Sequence, residues 1–295
     1  MTFFNDKKRL ENDSFLNFLQ ELSLSNKTIF YRPNTGNAGD ALINVGFYEV
    51  ASSLKLNFRE LDNNQPLPIE LKNAIVIMPG GGYLVKEWMS NFNLLKKARA
   101  RNYSIVFAPQ SITLEKHLLE QILKDGDLLF CRERQSYQHL ESMQLNIELN
   151  IANDLAFYVD CHSVMTKRQI KSIFSNCSLE KRIKRLIKLL IIIGHILFSK
   201  LNPHIKALRT DQEASTNEKR PWILDLAKVC QFDLNNSQSN YTTAALFLAV
   251  IDSYETVETD RLHVLIAAHL LKKKVSFRDN SYGKLRAVFD YTIKG

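Results

Sequence analysis

The sequence predicts an α/β fold with a mainly parallel sheet, because apolar β-type runs alternate with helical patterns through its first half. The strand-like runs cover residues 28–32, 74–78, 104–108 and 127–131, with a weaker one at 56–61. Between them, apolar residues recur at helical spacing over 43–54, 88–100, 115–123 and 136–143. The alternation is typical of a doubly wound sheet, in which ligands bind beyond the carboxyl ends of the strands.

The length of 295 residues predicts two lobes. We expect an N-terminal Rossmann-like lobe over 1–160, a linker region over 161–203 and a C-terminal Rossmann-like lobe over 204–295. The second lobe resumes the alternation, with a helix at 242–251, a strand at 255–259, a helix at 261–271, a strand at 274–278 and a last helix from about 284. No internal repeat is visible, which excludes a solenoid.

The linker region contains a basic run, EKRIKRLIK, followed directly by LLIIIGHILF. A membrane-spanning helix needs about 20 apolar residues. This run is shorter and is interrupted by Lys188, Gly194 and His195, so we do not expect it to span a bilayer. Two interpretations remain: residues 181–200 lie in the interface of the inner membrane, or they form a helix packed between the lobes.

Composition places the chain among globular proteins, with 45% hydrophobic and 24% charged residues. The net charge of +8 favours anionic partners, but no nucleic-acid motif is present, so we expect no nucleic acid partner. The first residues lack the apolar core of a signal peptide. The four cysteines form neither a C-x-x-C pair nor a cluster of zinc-ligand spacing, so we expect a reduced cytoplasmic setting and no metal.

The segment NTGNAGDAL, residues 34–42, follows a strand and precedes a helix. Its glycines allow close backbone approach, and a helix N-terminus favours an anion, although a plain tight turn explains the pattern equally well. It matches neither G-x-G-x-x-G nor a Walker P-loop. Asp40 is either a helix cap or a general base facing the crevice.

Two further segments follow predicted strands. In PGGG, residues 79–82, the glycines indicate close backbone approach to a ligand or to the other lobe, or else a sharp loop. In CRERQS, Arg132 and Arg134 have the side chain best suited to planar carboxylates and phosphates, or they form a solvated charge cluster.

The segment ETDRLH, residues 258–263, is the most informative. With Thr259 or Asp260 as N-cap, Arg261 and His263 fall in the first turn of a helix, where an anion meets the helix dipole, a guanidinium and an imidazole. Residues two apart do not share a helical face. Arg261 and His263 can therefore converge only if they bracket the very start of the helix. Near the C-terminus, Ser281 and Lys284 either bind phosphate or serve as a cap and a solvated cation.

Read together, GNAGD, PGGG, APQS, CRERQS, NDLAF, LRTDQE, TDRLH and DNSYGK occur in the order found in the polysaccharide pyruvyl transferase family, which this chain resembles from about residue 31 to its end. The resemblance implies two Rossmann-like lobes in a GT-B-like arrangement, with the active site in the cleft between them. It also implies transfer of the pyruvyl group of phosphoenolpyruvate to sugar hydroxyls, as a ketal, in bacterial surface polysaccharide biosynthesis. Phosphoenolpyruvate would be a co-substrate, with no other cofactor.

The residues that match the family's donor site are Arg261 and His263, with Arg132 as a further anion-binding arginine. From the chemistry of phosphoenolpyruvate, we expect His263 to hold phosphate or act as general acid and Asp40 or Asp154 to be the base. The chain departs from the family pattern at Val264 and Leu265, where a glycine and a histidine are usual. The other residues expected to bind substrate are Arg134, Asn37, Gly39, Gly81, Gly82, Gln110, Ser111, Asn280, Ser281 and Lys284.

The acceptor is expected to be a sugar or a lipid-linked oligosaccharide. Two other functions fit parts of the sequence. A GT-B-type glycosyltransferase would also need phosphate-binding loops for its nucleotide sugar. A nonenzymatic, basic membrane-binding module would account for the net charge of +8 and for residues 181–200.

Overall fold

A computed structural model describes residues 13–86, 89–167, 170–174, 177–211, 225–234, 236–279 and 283–294. The chain divides into two compact units. The first comprises Met1–Asn34, Phe47–Tyr158 and Ala287–Gly295, and the second comprises Thr35–Gly46 and Val159–Arg286. Residues 161–203 thus belong to the second unit, as do residues 35–46.

The first unit contains a seven-stranded sheet whose strand pairs are all parallel, in the order β2-β1-β3-β5-β6-β7, with β4 paired to β5. The predicted α/β fold with a parallel sheet is therefore confirmed. The strands are β1 Thr28–Tyr31, β2 Arg59–Glu60, β3 Ala74–Met78, β4 Gly81–Leu84, β5 Ser104–Ile112, β6 Leu128–Cys131 and β7 Glu148–Ile151.

Helices lie in four of the six connections between consecutive strands, whereas residues 61–73 between β2 and β3 and residues 79–80 between β3 and β4 contain none. The two longest of these helices are Ala38–Ser53 after β1 and Met89–Lys97 before β5. Asp13 caps the first described helix, because its side chain accepts hydrogen bonds from Phe15 N and Leu16 N. The other helices of this unit are Ser14–Ser23, Lys116–Leu119, Arg134–Glu141, the 3₁₀ turn Leu155–Tyr158 and the π-helix Asp290–Lys294.

The triple-glycine segment differs from its prediction. Instead of forming a loop, Gly81 and Gly82 open strand β4, and Gly81 pairs with Gln110 of β5. Gly81 has a φ of 99°, a left-handed conformation that favours glycine. Strand β5 likewise continues to Ile112, so the APQS segment is part of a strand and not the loop after it.

The second unit contains a three-stranded parallel sheet in the order β10-β9-β8. Its strands are β8 His204–Ala207, β9 Thr256–Thr259 and β10 Lys274–Phe277. The helix Ser237–Ser253 precedes β9, and Leu262–Leu270 connects β9 to β10. The other helices that begin in this unit are Cys161–Thr166, Ile170–Ile173, Leu179–Phe198, Leu226–Val229 and Lys284–Phe289.

All four cysteines are free thiols, and three of them are buried. Burial raises the pKa of Cys161 to about 12 and also raises the pKa values of Cys131 and Cys230 above the ordinary thiol range. Cys177 is only partly buried.

We expect iodoacetamide at pH 8 to alkylate Cys177 first in the native protein, because the reactive thiolate is scarce and inaccessible at the three buried positions. Peptide mapping by mass spectrometry after timed labelling measures this order. The same reaction in guanidinium chloride, where all four thiols should react, is the control. Rapid native labelling of Cys131 or Cys230 would contradict the described core.

Candidate active site

In the second unit, the helix Ala38–Ser53 begins with a reciprocal cap. Asn37 Oδ1 accepts a hydrogen bond from Gly39 N at 2.8 Å, and Asp40 Oδ2 accepts one from Asn37 N at 2.7 Å. The arrangement is similar to a capping box, with Asp40 in the third helical position, but Asn37 accepts from the second helical N–H instead of the third. The structure thus gives both polar side chains a role in fixing the helix start, and the predicted role of Asp40 as general base stays a prediction.

Gly39 lies directly against His263. A Cβ atom on Gly39 would lie 2.4 Å from His263 Nδ1, 2.8 Å from Cγ and 2.9 Å from Cβ. Such distances are far inside van der Waals contact, so only glycine fits here without a shift of the imidazole. The imidazole is therefore packed against the N-terminal turn of Ala38–Ser53, where amide N–H groups carry partial positive charge.

His263 is also in the first turn of its own helix, Leu262–Leu270, whose N-cap is Arg261. The expectation that Arg261 and His263 bracket a helix start is confirmed. The predicted cap is wrong: Thr259 Oγ1 accepts from Arg261 N at 3.0 Å, and Asp260 Oδ1 accepts from Arg209 N at 2.7 Å. Both side chains thus order the β9–helix turn without capping the helix.

Arg261 is buried between two carboxylates. Its Nη2 atom lies 3.0 Å from Asp211 Oδ2 and 2.5 Å from Asp225 Oδ2, and only 6% of its side chain is exposed. Its Nε atom has no hydrogen-bond partner among the described residues. A ligand anion at Arg261 would thus meet a guanidinium that is already largely charge-compensated.

Asp211 and Asp225 are the site residues that sequence reasoning missed. Asp225 Oδ2 also accepts hydrogen bonds from Thr210 N at 3.1 Å and from Thr210 Oγ1 at 3.0 Å, and Lys228 Nζ lies 3.5 Å away. Asp211 also pairs with Arg209 at 2.8 Å. The one available signal was the position of Asp211 inside the LRTDQE motif.

Two polar contacts hold residues 35–46 within the second unit. Asn44 Nδ2 donates to Asn240 Oδ1 at 2.7 Å, and both side chains are fully buried. Gln231 Nε2 donates to Gly36 O at 2.6 Å. These contacts place the helix start against the His263 segment. Val264 and Leu265, which depart from the family pattern, are fully buried core residues of the helix.

In the first unit, residues of three other motifs meet at the carboxyl ends of β5 and β6. Arg132 Nη1 pairs with Asp154 Oδ2 at 2.7 Å, and Arg132 Nε donates to Ser111 Oγ at 3.0 Å. Arg132 N also donates to Gln110 O at 3.2 Å. These side chains are buried, and within the described chain Arg132 Nη2 and both amide atoms of Gln110 lack hydrogen-bond partners.

Asp154 has both carboxylate oxygens engaged, since Oδ1 accepts from Ala156 N at 2.9 Å while Oδ2 faces Arg132. A carboxylate held by a guanidinium and an amide is a weak proton acceptor. The role of Asp154 as base stays a prediction that this geometry does not favour. Arg132 is wholly enclosed, so direct contact with a ligand would require its surroundings to move.

The remaining predicted residues are placed as follows. Arg134 is exposed in the first turn of Arg134–Glu141, while Gly81 and Gly82 belong to β4. Asn280, Ser281 and the side chain of Lys284 lie outside the described residues. No group of three or more histidine, cysteine or acidic side chains in the described ranges is positioned to hold a metal ion.

A Gly39→Ala substitution tests the packing against His263. We expect it to displace the imidazole and to lower the free energy of unfolding by about 1–3 kcal/mol, the usual cost of overpacking. In a His263→Ala background the cost should be smaller, because the two closest contacts are with the ring and only the contact with Cβ at 2.9 Å remains.

Urea unfolding of the four proteins in this cycle measures the coupling. Gly194→Ala is the matched control, because it is a helical glycine around which an added Cβ meets nothing within 4 Å. The control should be neutral or slightly stabilising. Equal effects of Gly39→Ala in both backgrounds would contradict the contact.

Comparisons with known proteins agree with the fold. The family model for polysaccharide pyruvyl transferase matches residues 5–282. A crystal structure of a functionally uncharacterized protein from Klebsiella pneumoniae superposes with a TM-score of 0.65 at 22% identity, covering 99% of this chain and 95% of that one. Among curated proteins, none matches this chain significantly.

Proposed function

Because the chain belongs to the polysaccharide pyruvyl transferase family, we propose that it moves the pyruvyl group of phosphoenolpyruvate onto sugar hydroxyls. The observation that carries the proposal is the packing of His263 between the starts of two helices, beside Arg261. Two helix N-termini, an imidazole and a guanidinium in the same unit suit a donor that bears a carboxylate and a phosphate.

Ketal formation requires a balanced movement of protons. Two hydroxyl oxygens form bonds to C2 of phosphoenolpyruvate, the C2–O bond to phosphate breaks, and the methylene carbon becomes a methyl group by taking one proton. The second hydroxyl proton leaves with phosphate. The enzyme must therefore supply an acid near the methylene carbon or the phosphate and an acceptor near the hydroxyls.

We assign the acid role, or the binding of phosphate, to His263. It is the titratable side chain that contacts Gly39 at the helix start, where phosphate would receive backbone N–H groups. Arg261 would donate a hydrogen bond to the donor carboxylate through Nε, with Asp211 and Asp225 holding its guanidinium in place. Arg132 would contribute to anion binding through Nη2 after a local opening.

The proposed acceptor is a sugar of a bacterial surface polysaccharide, free or lipid-linked. Asp40 is the better base candidate of the two, since its carboxylate accepts from a backbone N–H at a helix start, whereas Asp154 is held in a buried ion pair with a guanidinium. The GT-B-like arrangement implied by the resemblance remains part of the proposal.

Donor binding tests the proposal against a glycosyltransferase of similar fold. Isothermal titration calorimetry with phosphoenolpyruvate should show saturable binding, whereas a panel of nucleotide sugars should show none. The His263→Ala variant should bind phosphoenolpyruvate more weakly if the imidazole holds phosphate. Saturable binding of a nucleotide sugar, without binding of phosphoenolpyruvate, would contradict the proposed pyruvyl transfer and would favour glycosyl transfer.

A further inference from the structure

The helix Leu179–Phe198 is apolar on two opposite faces. One face carries Arg185, Leu189 and Ile192, which are buried against the second unit. Arg185 satisfies its charge there by an ion pair with Asp233 and a hydrogen bond to Ile173 O. The spacing of three and four residues is that of one helical stripe, so this face explains how the helix packs.

The opposite face is exposed and equally apolar. Its side chains follow the same spacing, and they include Leu179 at 74% exposure, Leu190 at 59% and, just beyond the helix, Leu201 at 84%. Soluble proteins rarely expose contiguous apolar patches of this kind without a partner. The large exposed apolar residues are Leu179, Ile183, Leu186, Ile187, Leu190, Ile191, Ile193, Leu197, Phe198 and Leu201.

Cations border this apolar face on both sides. Helical spacing places Arg182 and Lys200 along one edge and Lys184 along the other, and all three are exposed. Glu180 is the only carboxylate in residues 179–201, and it pairs with Lys184 at 2.5 Å. Lys188 is different, because it donates to the backbone of the second unit, with burial lowering its pKa.

We propose that this face, residues 179–201, is a docking surface for an anionic lipid bilayer, with the helix axis in the plane of the interface. The apolar stripe would enter the acyl boundary, and the flanking cations would meet lipid phosphates. No helix among the described residues has the length and hydropathy to cross a membrane. Charge complementarity favours lipid over a second copy of this chain, which carries the same net charge of +8.

Vesicle flotation of the full chain tests this surface, independently of the transfer reaction. The protein should float with vesicles that contain equal amounts of phosphatidylglycerol and phosphatidylcholine. With vesicles of pure phosphatidylcholine, most of it should remain in the bottom fraction. Added salt should weaken the binding.

Two sets of variants separate the apolar and the charged contributions. Ile183→Gln/Leu190→Gln/Leu197→Gln should weaken partitioning by more than about tenfold, because three large side chains no longer enter the bilayer. Arg182→Gln/Lys184→Gln should weaken it roughly thirtyfold at low salt, since each cation contributes about fivefold. The matched controls are Leu24→Gln, at an 84% exposed leucine, and Lys27→Gln/Lys72→Gln, at exposed lysines elsewhere.

Unchanged binding by the triple variant would overturn the proposal, as would a wild-type protein that does not float with anionic vesicles. Sedimentation velocity identifies the main rival occupant. A wild-type dimer that the triple variant abolishes, in a protein that does not bind vesicles, would assign the face to a second copy of the chain.

Discussion

Replacing His263 with alanine is expected to reduce pyruvyl transfer by about 10²- to 10⁴-fold, the usual contribution of a positioned acid or base. The fold should persist, because His263 is only partly buried and its removal leaves the surrounding helix core intact. Steady-state release of phosphate from phosphoenolpyruvate, in the presence of acceptor, measures the effect, and circular dichroism checks the fold.

The matched control is His269→Ala, at a partly buried histidine in the last turn of the same helix. This variant should keep near wild-type activity, because His269 is two turns from the helix start. A His263→Ala protein that turns over like wild type would remove His263 from the chemistry. Equal losses in both variants would indicate a structural effect on the helix.

Replacing Arg261 with methionine is expected to lower the free energy of unfolding by about 3–5 kcal/mol, because it removes the buried cation shared by two carboxylates and leaves Asp211 with Arg209 and Asp225 with the more exposed Lys228. Asp211 and Asp225 would then repel each other beside β9, with only 20% and 5% of their side chains exposed. Urea unfolding followed by tryptophan fluorescence measures the change.

Two further variants test whether the loss of stability comes from the buried ion pairs of Arg261. Adding Asp225→Asn to the Arg261→Met variant should recover part of the loss, since it removes one of the two neighbouring negative charges. Arg278→Met is the control: Arg278 pairs with Glu258 at 2.8 Å but is half exposed, so its loss should cost less than about 1 kcal/mol. Equal costs for Arg261→Met and Arg278→Met would contradict the buried pairing.

The buried ion pairs of Arg261 also affect how the activity of its variants is interpreted. Loss of activity in an Arg261 variant mixes binding with stability, because the guanidinium is part of a buried ion network. His263 is the cleaner probe of chemistry, since it lies at a helix start and is only partly buried.

Local patterns in the sequence were sufficient to predict the central strands. Those at residues 74–78 and 128–131 are short, apolar and rich in branched residues, and they are fully or largely buried as parallel strands. Strand β4 was missed because two of its four residues are glycines, which are rare in strands. Strand β7 was missed because its residues are half exposed and show no apolar run.

The candidate site was predictable only in part. The start of a helix at Arg261 and His263 follows from local chemistry, but the two carboxylates on Arg261 are 50 and 36 residues away in sequence. Ion pairs over such separations leave no periodic signal. The contact between Gly39 and His263 also joins residues that are far apart in sequence. The local pattern around Gly39 indicated only a turn or an anion site.

Isotope transfer tests the central claim most directly. The protein is incubated with phosphoenolpyruvate carrying ¹³C at C2 and with a panel of acceptor glycans, and the products are followed by ¹³C and ³¹P NMR. Pyruvyl transfer predicts that the labelled carbon appears as a ketal carbon on one glycan, with an equal amount of inorganic phosphate. Label that never enters a glycan, while a nucleotide sugar is consumed in the same mixture, would contradict the account.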